Sequence, residues 1–359
     1  MNYNAALAYF PKITYVRYKK LKIYFGELEN LWKAEIDDLI KAGIEESISH
    51  EFIIWRENNS VEKIMQDLIK ENITTTSIGE TDYPELLAEI TDPPHTLFVR
   101  GKIPKRETPS VAVVGTRRCT NYGRTVTIDL STALAEQGVA IISGLALGID
   151  GLAHESALKA GGITVAVLGS GVDQRHIYPV AHQRLAAQII ERGGAVISEY
   201  PPGFMPTQYS FPARNRIIAG LSLGILVTEA PTQSGALITA KSALDYNREV
   251  FVVPHPISSP SGEGGNNLIK LGAILTTKAQ DILDDLQLKN IKEVIANNRV
   301  LPTSPTEAKI LPHLSKEPVH VDAVIKLSGL PSGIVNGVLT MMEMKGKVRN
   351  IGGMMYILR

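Results

Sequence analysis

SEYPPGFMPTQYSFPARNRIIAGLS, residues 198–222, decides how the rest of the chain is read. It joins two short apolar runs, AVIS (195–198) and GILVTEA (224–230). Runs this short and this apolar read as buried parallel strands. The join is punctuated by Pro and Gly. It carries Arg214 and Arg216, with no Asp or Glu between Pro201 and Leu226. Open α/β sheets bind ligands outside the carboxyl ends of their strands. A basic, carboxylate-free loop at that edge calls for an anion, and phosphate fits best.

The same pattern recurs upstream. VAVVG (111–115) leads into GTRRCTNYGR (115–124), with Arg117, Arg118 and Arg124 and no acid, and a helical run follows to Gln137. AIISG (140–144) leads into a loop with Gly144 and Gly148 and a helix to about Ala160. TVAVLGSGVD (164–173) repeats the motif with Gly171. Strands alternating with helices imply a Rossmann-like, mostly parallel sheet. Its helix N-termini hold anions through unpaired N–H groups and the helix dipole. On this reading Arg117, Arg118, Arg214 and Arg216 neutralise phosphates, and Arg214 faces the ligand more directly than Arg216, which lies next to the core residues Ile217 and Ile218. Gly115, Gly144, Gly148 and Gly171 let backbone N–H groups approach. Asn215, Ser234 and Gly235 belong to the same edge. Phe211 and Tyr209 flank the arginines and offer faces for bases, with a core anchor as the alternative role for Phe211.

Several functions are excluded or disfavoured. Gly115 is followed by Thr116 and Arg117, so the dinucleotide fingerprint is missing, and GSGVDQ (169–174) has Gln174 in place of the third glycine. No P-loop motif occurs. His154-Glu155 lacks the second His of a zinc helix, so no metal is expected. Glu199 and Glu229 each end a strand at the binding edge. They serve either acid/base chemistry or the orientation of arginines and caps. No catalytic constellation and no cofactor emerge. Formal net charge is zero, so a nucleic-acid site must be a local patch. The single cysteine, Cys119, fits a reducing cytoplasm and reads as a filler residue. No apolar stretch reaches transmembrane length, and the N-terminus lacks the apolar core of a signal peptide.

Six segments in order resemble the DNA processing protein A (DprA, or Smf) family: VAVVGTRRCTNYG, SGLALGIDGLAHESAL, AVLGSGVDQRHIYP, SEYPPGFMPTQYSFPARNRIIAGLS, TEAPTQSGALITAKSAL and GGNNLIKLGA. They span roughly residues 75–286, with ETDYPELLAEITDPPHTLFVRG (80–101) resembling the family's lead-in. The resemblance implies a non-catalytic protein that binds and protects incoming single-stranded DNA and loads the RecA recombinase during natural transformation. It also implies a homodimer through the Rossmann-like core, with the helix from Ser234 to Asn247 and the strand after Gly272 as candidate contacts. His182 and His255 stand where family members usually carry Asn and Gly. The alternative is a nucleoside-monophosphate phosphoribohydrolase-like enzyme. Its P-G-G-x-G-T-x-x-E motif is absent from EAPTQSGALITA (229–240).

The flanks differ in character. Residues 1–73 carry 10 basic and 12 acidic residues and read as four or five short helices, with Leu31, Ile36, Leu39 and Ile40 on one side and Gly43 as a C-cap. The family resemblance likens this segment to a sterile-alpha-motif or helix-hairpin-helix domain. Lys19, Lys20 and Lys22 form a solvated face or a phosphate contact. Residues 74–103 read as an extended connector, 104–288 as the core and 289–302 as a linker. SPSGEGGNN within the core reads as flexible, a flap or a surface loop. Residues 303–359 follow the order of a winged helix, ending in a hairpin around Gly352 and Gly353. This segment holds 7 basic and 4 acidic residues. Its third helix lacks Lys or Arg before Lys345, so DNA reading and protein contact both remain open. Met341, Met342 and Met344 read as core.

Overall fold

The computed structural model describes residues 2–288, 304–315, 318–345 and 347–358. The chain divides into two compact units, residues 1–287 and 288–359. The first opens with six helices: α1 (Tyr3–Leu7), α2 (Tyr15–Phe25), α3 (Leu28–Lys33), α4 (Ile36–Lys41), α5 (Glu46–Asn58) and α6 (Val61–Lys70). The stretch LWKAEIDDLIKAG forms two of them. Ala34 turns extended (ψ 146°) to end α3, and Glu35 with Asp38 makes a reciprocal capping box for α4. Gly43 takes the left-handed conformation at φ +82° after α4. Leu31 and Leu39 are buried as expected, whereas Ile40 is 40% exposed. These helices share a core around Phe10, Leu21, Leu31 and Phe52. They also pack on the sheet that follows. The Tyr9 ring meets Phe98 edge-on at 5.6 Å, and Tyr18 stacks on His95 at 4.7 Å.

Residues 74–103 are not a connector. They contribute β1 (Thr74–Ser77), α7 (Glu85–Ala88) and β2 (Thr96–Gly101) to the fold. β2 pairs antiparallel with β1 on one side and with the later strand β6 (Ala195–Ser198) on the other. Leu97, Phe98 and Val99 are buried. The prolines that suggested a connector lie outside the two strands, where their missing N–H costs no ladder bond.

The core continues with β3 (Ser110–Gly115), α8 (Asn121–Glu136), β4 (Ala140–Ser143), α9 (Ile149–Lys159), β5 (Thr164–Val167), α10 (Gln183–Glu191) and β6, then α11 (Ser210–Gly220), β7 (Gly224–Glu229), α12 (Gly235–Asp245), β8 (Glu249–Val252), α13 (Glu263–Lys270), β9 (Ile274–Leu275) and α14 (Ala279–Asp285). Strand order is β1-β2-β6-β5-β4-β3-β7-β8-β9. Strands β3 to β9 run parallel to their neighbours among themselves. Both faces of the sheet are covered, which is why its strands are continuous apolar runs. The chain steps from β3 outward to β6, then returns through α11 to place β7 beside β3. That reversal is a topological switch point, and the loops after β3 to β7 converge at its carboxyl edge. SPSGEGGNN, read as flexible, forms a turn of 3₁₀ helix (Pro260–Gly262) and the start of α13.

The second unit is a winged helix: α15 (Pro305–Ile310), β10 (Val319–His320), α16 (Val321–Ser328), α17 (Ser332–Met344), β11 (Val348–Asn350) and β12 (Met355–Leu358). Gly352 and Gly353 turn the hairpin at φ +99° and +59°. The Ser304 hydroxyl accepts from Glu307 N at 3.1 Å, but the Glu307 carboxylate, 2% exposed, turns inward to Lys345 and Lys347. Met342 is buried, while Met341 and Met344 are 55% and 83% exposed, so the methionines are not a core stripe. Positions 341, 342 and 344 cannot share one face at 3.6 residues per turn. The linker read over 289–302 lies outside the described residues. Among the described residues no single helix is long and apolar enough to cross a membrane.

Candidate nucleic-acid interface

The loops leaving β3 to β7 bury some of their charges and leave others exposed, and this division defines the site. Arg214 is only 4% exposed. It sits on the inner face of α11 with Ser210, Ile217 and Ile218, at the spacing of a buried helical stripe. Its Nη1 donates to Gly144 O at 2.6 Å and also to Val167 O, tying the loop after β4 to the end of β5. A Cβ on Gly144 would fall 2.5 Å from Arg214 Nη2, so this glycine makes room for the guanidinium. Burial brings the Arg214 pKa down to about 10, with Asp150 acting against the shift and Arg117 adding to it. Burial likewise raises the Asp150 pKa, opposed by Arg214 and by the Gly144 N–H that Asp150 accepts at 3.0 Å. Arg214 is therefore held as an internal strut, its guanidinium engaged by the protein's own carbonyls where a ligand contact was expected.

Arg216 is also engaged. Its Nη1 and Nη2 donate to the two Glu199 oxygens at 2.8 and 2.7 Å, and its Nε to Asp92 Oδ2 at 3.0 Å. Burial opposes its charge, but Glu199 and Asp92 outweigh that and raise its pKa. The neutralising acids lie outside the carboxylate-free stretch, one just before it and one in the loop ahead of β2. Of the two roles open to Glu199, orienting an arginine is the one the geometry supports.

Glu229, 1% exposed, accepts from Thr120 N and Thr120 Oγ1, both at 3.0 Å. The chain's own carboxylate thus sits at the N-terminus of α8, where a phosphate was expected. Gly115 is packed against Ile149, and Gly148, at φ +78°, lies under Thr116 O and Arg117. The N–H groups of Gly144 and Gly171 already donate, to Asp150 and to Phe204 O. These glycines let loops pack on one another, and the N–H groups of Gly144 and Gly171 are spent inside the protein. Asn215 donates to Gly235 O at 3.3 Å, and Ser234 caps α12 through Ala236 N. Gly235 is exposed, with nothing within 4 Å of where a Cβ would be.

Arg117, Arg118, Arg124 and Arg175 are exposed. Among the described residues none of them has a salt-bridge partner. The Arg117 guanidinium stands 5.6 Å above the Phe211 ring, and Phe211 meets Tyr178 at 5.6 Å between centroids. These three side chains and Leu147 surround a cavity of about 40 Å³ that has Arg214 among its lining residues. Tyr209 is 76% exposed nearby in sequence. Arg175 and Tyr178 escaped the sequence reading. Their signal was present in QRHIYP, a cation and an aromatic in a loop leaving a strand, as at 209–214. His182 bonds Leu145 O through Nδ1 at 2.8 Å and packs on Gly151, so it bridges to the loop after β4. His255 is buried under Gly262 and against the Tyr122 ring. A larger hollow of about 620 Å³ carries Glu27, Glu29 and Glu80 against Lys22 alone, which disfavours a polyanion. Among the described residues no cluster of His, Cys, Asp or Glu could hold a metal.

Two family models match the sequence, DNA recombination-mediator protein A over residues 74–287 and the DprA winged helix domain over residues 296–354. The chain belongs to the DNA processing protein A (DprA/Smf) family. Protein Smf of Escherichia coli K12 is 42% identical over 277 residues, 76% of this chain and 74% of that protein. The Smf protein of Synechocystis is 36% identical over 378 residues, 94% of each. Among solved structures, DprA from Streptococcus pneumoniae is similar at TM-score 0.66 and 35% identity, over 79% of this chain and 97% of that one. DprA from Helicobacter pylori, whose structure was described for its single-stranded DNA binding mode, is similar at TM-score 0.53 and 32% identity, over 60% of this chain and 96% of that one. The DprA resemblance of the sequence motifs and the Rossmann-like α/β class are both borne out.

Proposed function

We propose that this chain binds single-stranded DNA across the carboxyl edge of its sheet. The observation that carries the reading is Arg117, exposed and without a carboxylate partner, held over the Phe211 ring at the mouth of a cavity. Arg118, Arg124 and Arg175 extend the cationic surface. Phe211 and Tyr178 provide faces on which bases stack, the usual companion of phosphate contacts in single-strand binders. Arg214 and Arg216 act one layer below, holding the loops in place. A duplex hides its base faces, so single strands bind more tightly. The Helicobacter pylori relative supports the ligand class. In the same reading the bound strand is protected and passed to RecA during natural transformation or recombination in the cytoplasm, and two cores pair as a homodimer. The edge strand β9 and helix α12, with Leu275, Ile238 and Leu244 exposed, are the surfaces for that pairing.

Titrations of single- and double-stranded oligonucleotides over a salt series test the reading. Each phosphate contact to a single strand contributes about 0.7 to the slope of log affinity against log salt, so Arg117→Ala lowers the slope by about that amount. Phe211→Ala costs about 1–3 kcal/mol if a base stacks there. Equal affinity for duplex and single strand at physiological salt counts against the assignment. Nothing favours the phosphoribohydrolase alternative, because Glu229 is committed to Thr120. Steady adenine release from AMP, abolished by Glu229→Gln, would reverse that judgement.

A further inference from the structure

The loop after β4 is pinned at three successive carbonyls. Gly144 O accepts from Arg214 Nη1 at 2.6 Å, Leu145 O from His182 Nδ1 at 2.8 Å, and Ala146 O from Gly151 N at 3.1 Å. Between them Leu145 takes φ +59°, a left-handed conformation that is uncommon for a bulky residue. Leu145 is fully buried, while Leu147, two residues on, is 47% exposed and lines the cavity shared by Arg117 and Phe211.

Of the three donors, His182 alone comes from the segment between β5 and α10. That segment also carries Tyr178, four residues earlier, which lines the same cavity. His182 itself does not line it. The imidazole thus ties one wall of the cavity to another, with Leu147 close to one end of the bond and Tyr178 close to the other. Apolar packing also joins the two segments, since Leu145 shares a buried cluster with Ile177 and Leu185. Such packing is non-directional, whereas a hydrogen bond weakens steeply off its line and so fixes the register. The ring fits because α9 leaves room for it. A Cβ on Gly151 would lie 2.5 Å from His182 Cε1, and Gly151 takes no positive φ that would call for glycine on its own account.

We propose that His182 is a positioning residue for the bound strand. It sets the spacing of Leu147 and Tyr178, the walls against which one base is seated beside Phe211. The inference rests on the reading of this edge as a single-strand site and names the residue that shapes it. The cavity, about 40 Å³, is far smaller than the roughly 300–1,000 Å³ of pockets that enclose a ligand. A base therefore rests at its mouth, and the spacing of the walls decides how much of the base is covered. Loss of the His182 bond weakens stacking and leaves the phosphate contact of Arg117 in place.

The test uses the full chain and a single-stranded oligonucleotide carrying the fluorescent base 2-aminopurine, whose emission falls on stacking. His182→Ala should bind about tenfold more weakly, the scale of one stacked base, with reduced quenching and an unchanged salt slope. His182→Asn should bind like the parent, because its amide nitrogen is attached to Cγ as Nδ1 is and can donate to Leu145 O. Gly151→Ala should weaken binding by pushing on the ring. Added to His182→Asn, which has no atom in place of Cε1, it should have little effect. Leu68→Ala, a large-to-small change in the core of α6, should melt lower and keep the parental affinity. An equal loss of affinity there assigns the effect to stability and overturns the inference. A lowered salt slope in His182→Ala, or equal losses in His182→Ala and His182→Asn, also overturns it. If the parent binds and His182→Ala keeps its affinity and quenching, the inference fails and the site stands. A parent that binds no single strand refutes both.

Discussion

Replacing Arg214 and Arg117 separately distinguishes a strut from a ligand contact. Arg214→Ala removes two charge-assisted bonds, to Gly144 O and Val167 O, and leaves both carbonyls inside without their donor. It also takes away the largest influence opposing the effect of burial on Asp150. Removing one partner from a buried charged arrangement costs about 3–5 kcal/mol. The carbonyls alone account for about 1–3 kcal/mol each when left unsatisfied, so the two estimates overlap and do not add. At about 2–4 °C per kcal/mol for a unit of this size, Arg214→Ala should melt roughly 10 °C below the parent. Arg214→Lys should recover little of that, since a single ammonium cannot reproduce the planar fork that reaches both carbonyls. Arg117→Ala should melt with the parent, because Arg117 is exposed and its contact is one ring face. The binding data should show the reverse pattern. Measured well below both melting points, Arg214→Ala should keep the parental salt slope, and Arg117→Ala should lose about 0.7 from it. The assays are differential scanning calorimetry and fluorescence anisotropy over a salt series. If Arg214→Ala melts within a degree of the parent and its salt slope falls, Arg214 touches phosphate and the strut argument fails.

Further outcomes concern acid stability and loop packing. His95 and His154 are buried, and burial lowers their pKa values to about 4 and about 3, with His182 and Arg214 adding to the shift at His154. The folded state keeps both neutral while the unfolded chain binds protons below about 6.5, so stability is complete above that pH and declines as pH falls toward 4. Between pH 7.5 and 5.0 the loss should be about 2 kcal/mol per histidine, read as a falling urea midpoint; a midpoint flat over that range rejects the assignment. Gly123→Ala should destabilise by about 1–3 kcal/mol, because the new Cβ would lie 1.8 Å from Glu229 Oε2 and push the carboxylate off Thr120. A melting temperature equal to or above the parent's would show that Glu229 does not hold the loop after β3.

The parallel strands were legible because each is a run of four to six residues buried on both faces, a pattern that loops and surface helices do not imitate. β1 was not, since TTTS has no apolar residue and becomes a strand only by pairing with β2. The candidate site was half legible for a related reason. Sequence shows where arginines are, but whether a cation is free depends on acids brought from elsewhere in the chain. Asp92 reaches Arg216 across 124 residues, and Glu229 reaches Thr120 across 109. One distinction is nevertheless local. In the structure the buried positions of α11 include 210, 214, 217 and 218, a helical spacing that puts Arg214 on the core side. Arg117 and Arg118 precede the Thr120 cap of α8, outside any helix, and nothing in their spacing draws them inward. An arginine's position within the periodicity of its element thus says more about its role than the absence of neighbouring acids. By that criterion the exposed charge of this edge belongs to the loops after β3 and β5, and the arginines of α11 belong to the scaffold beneath them.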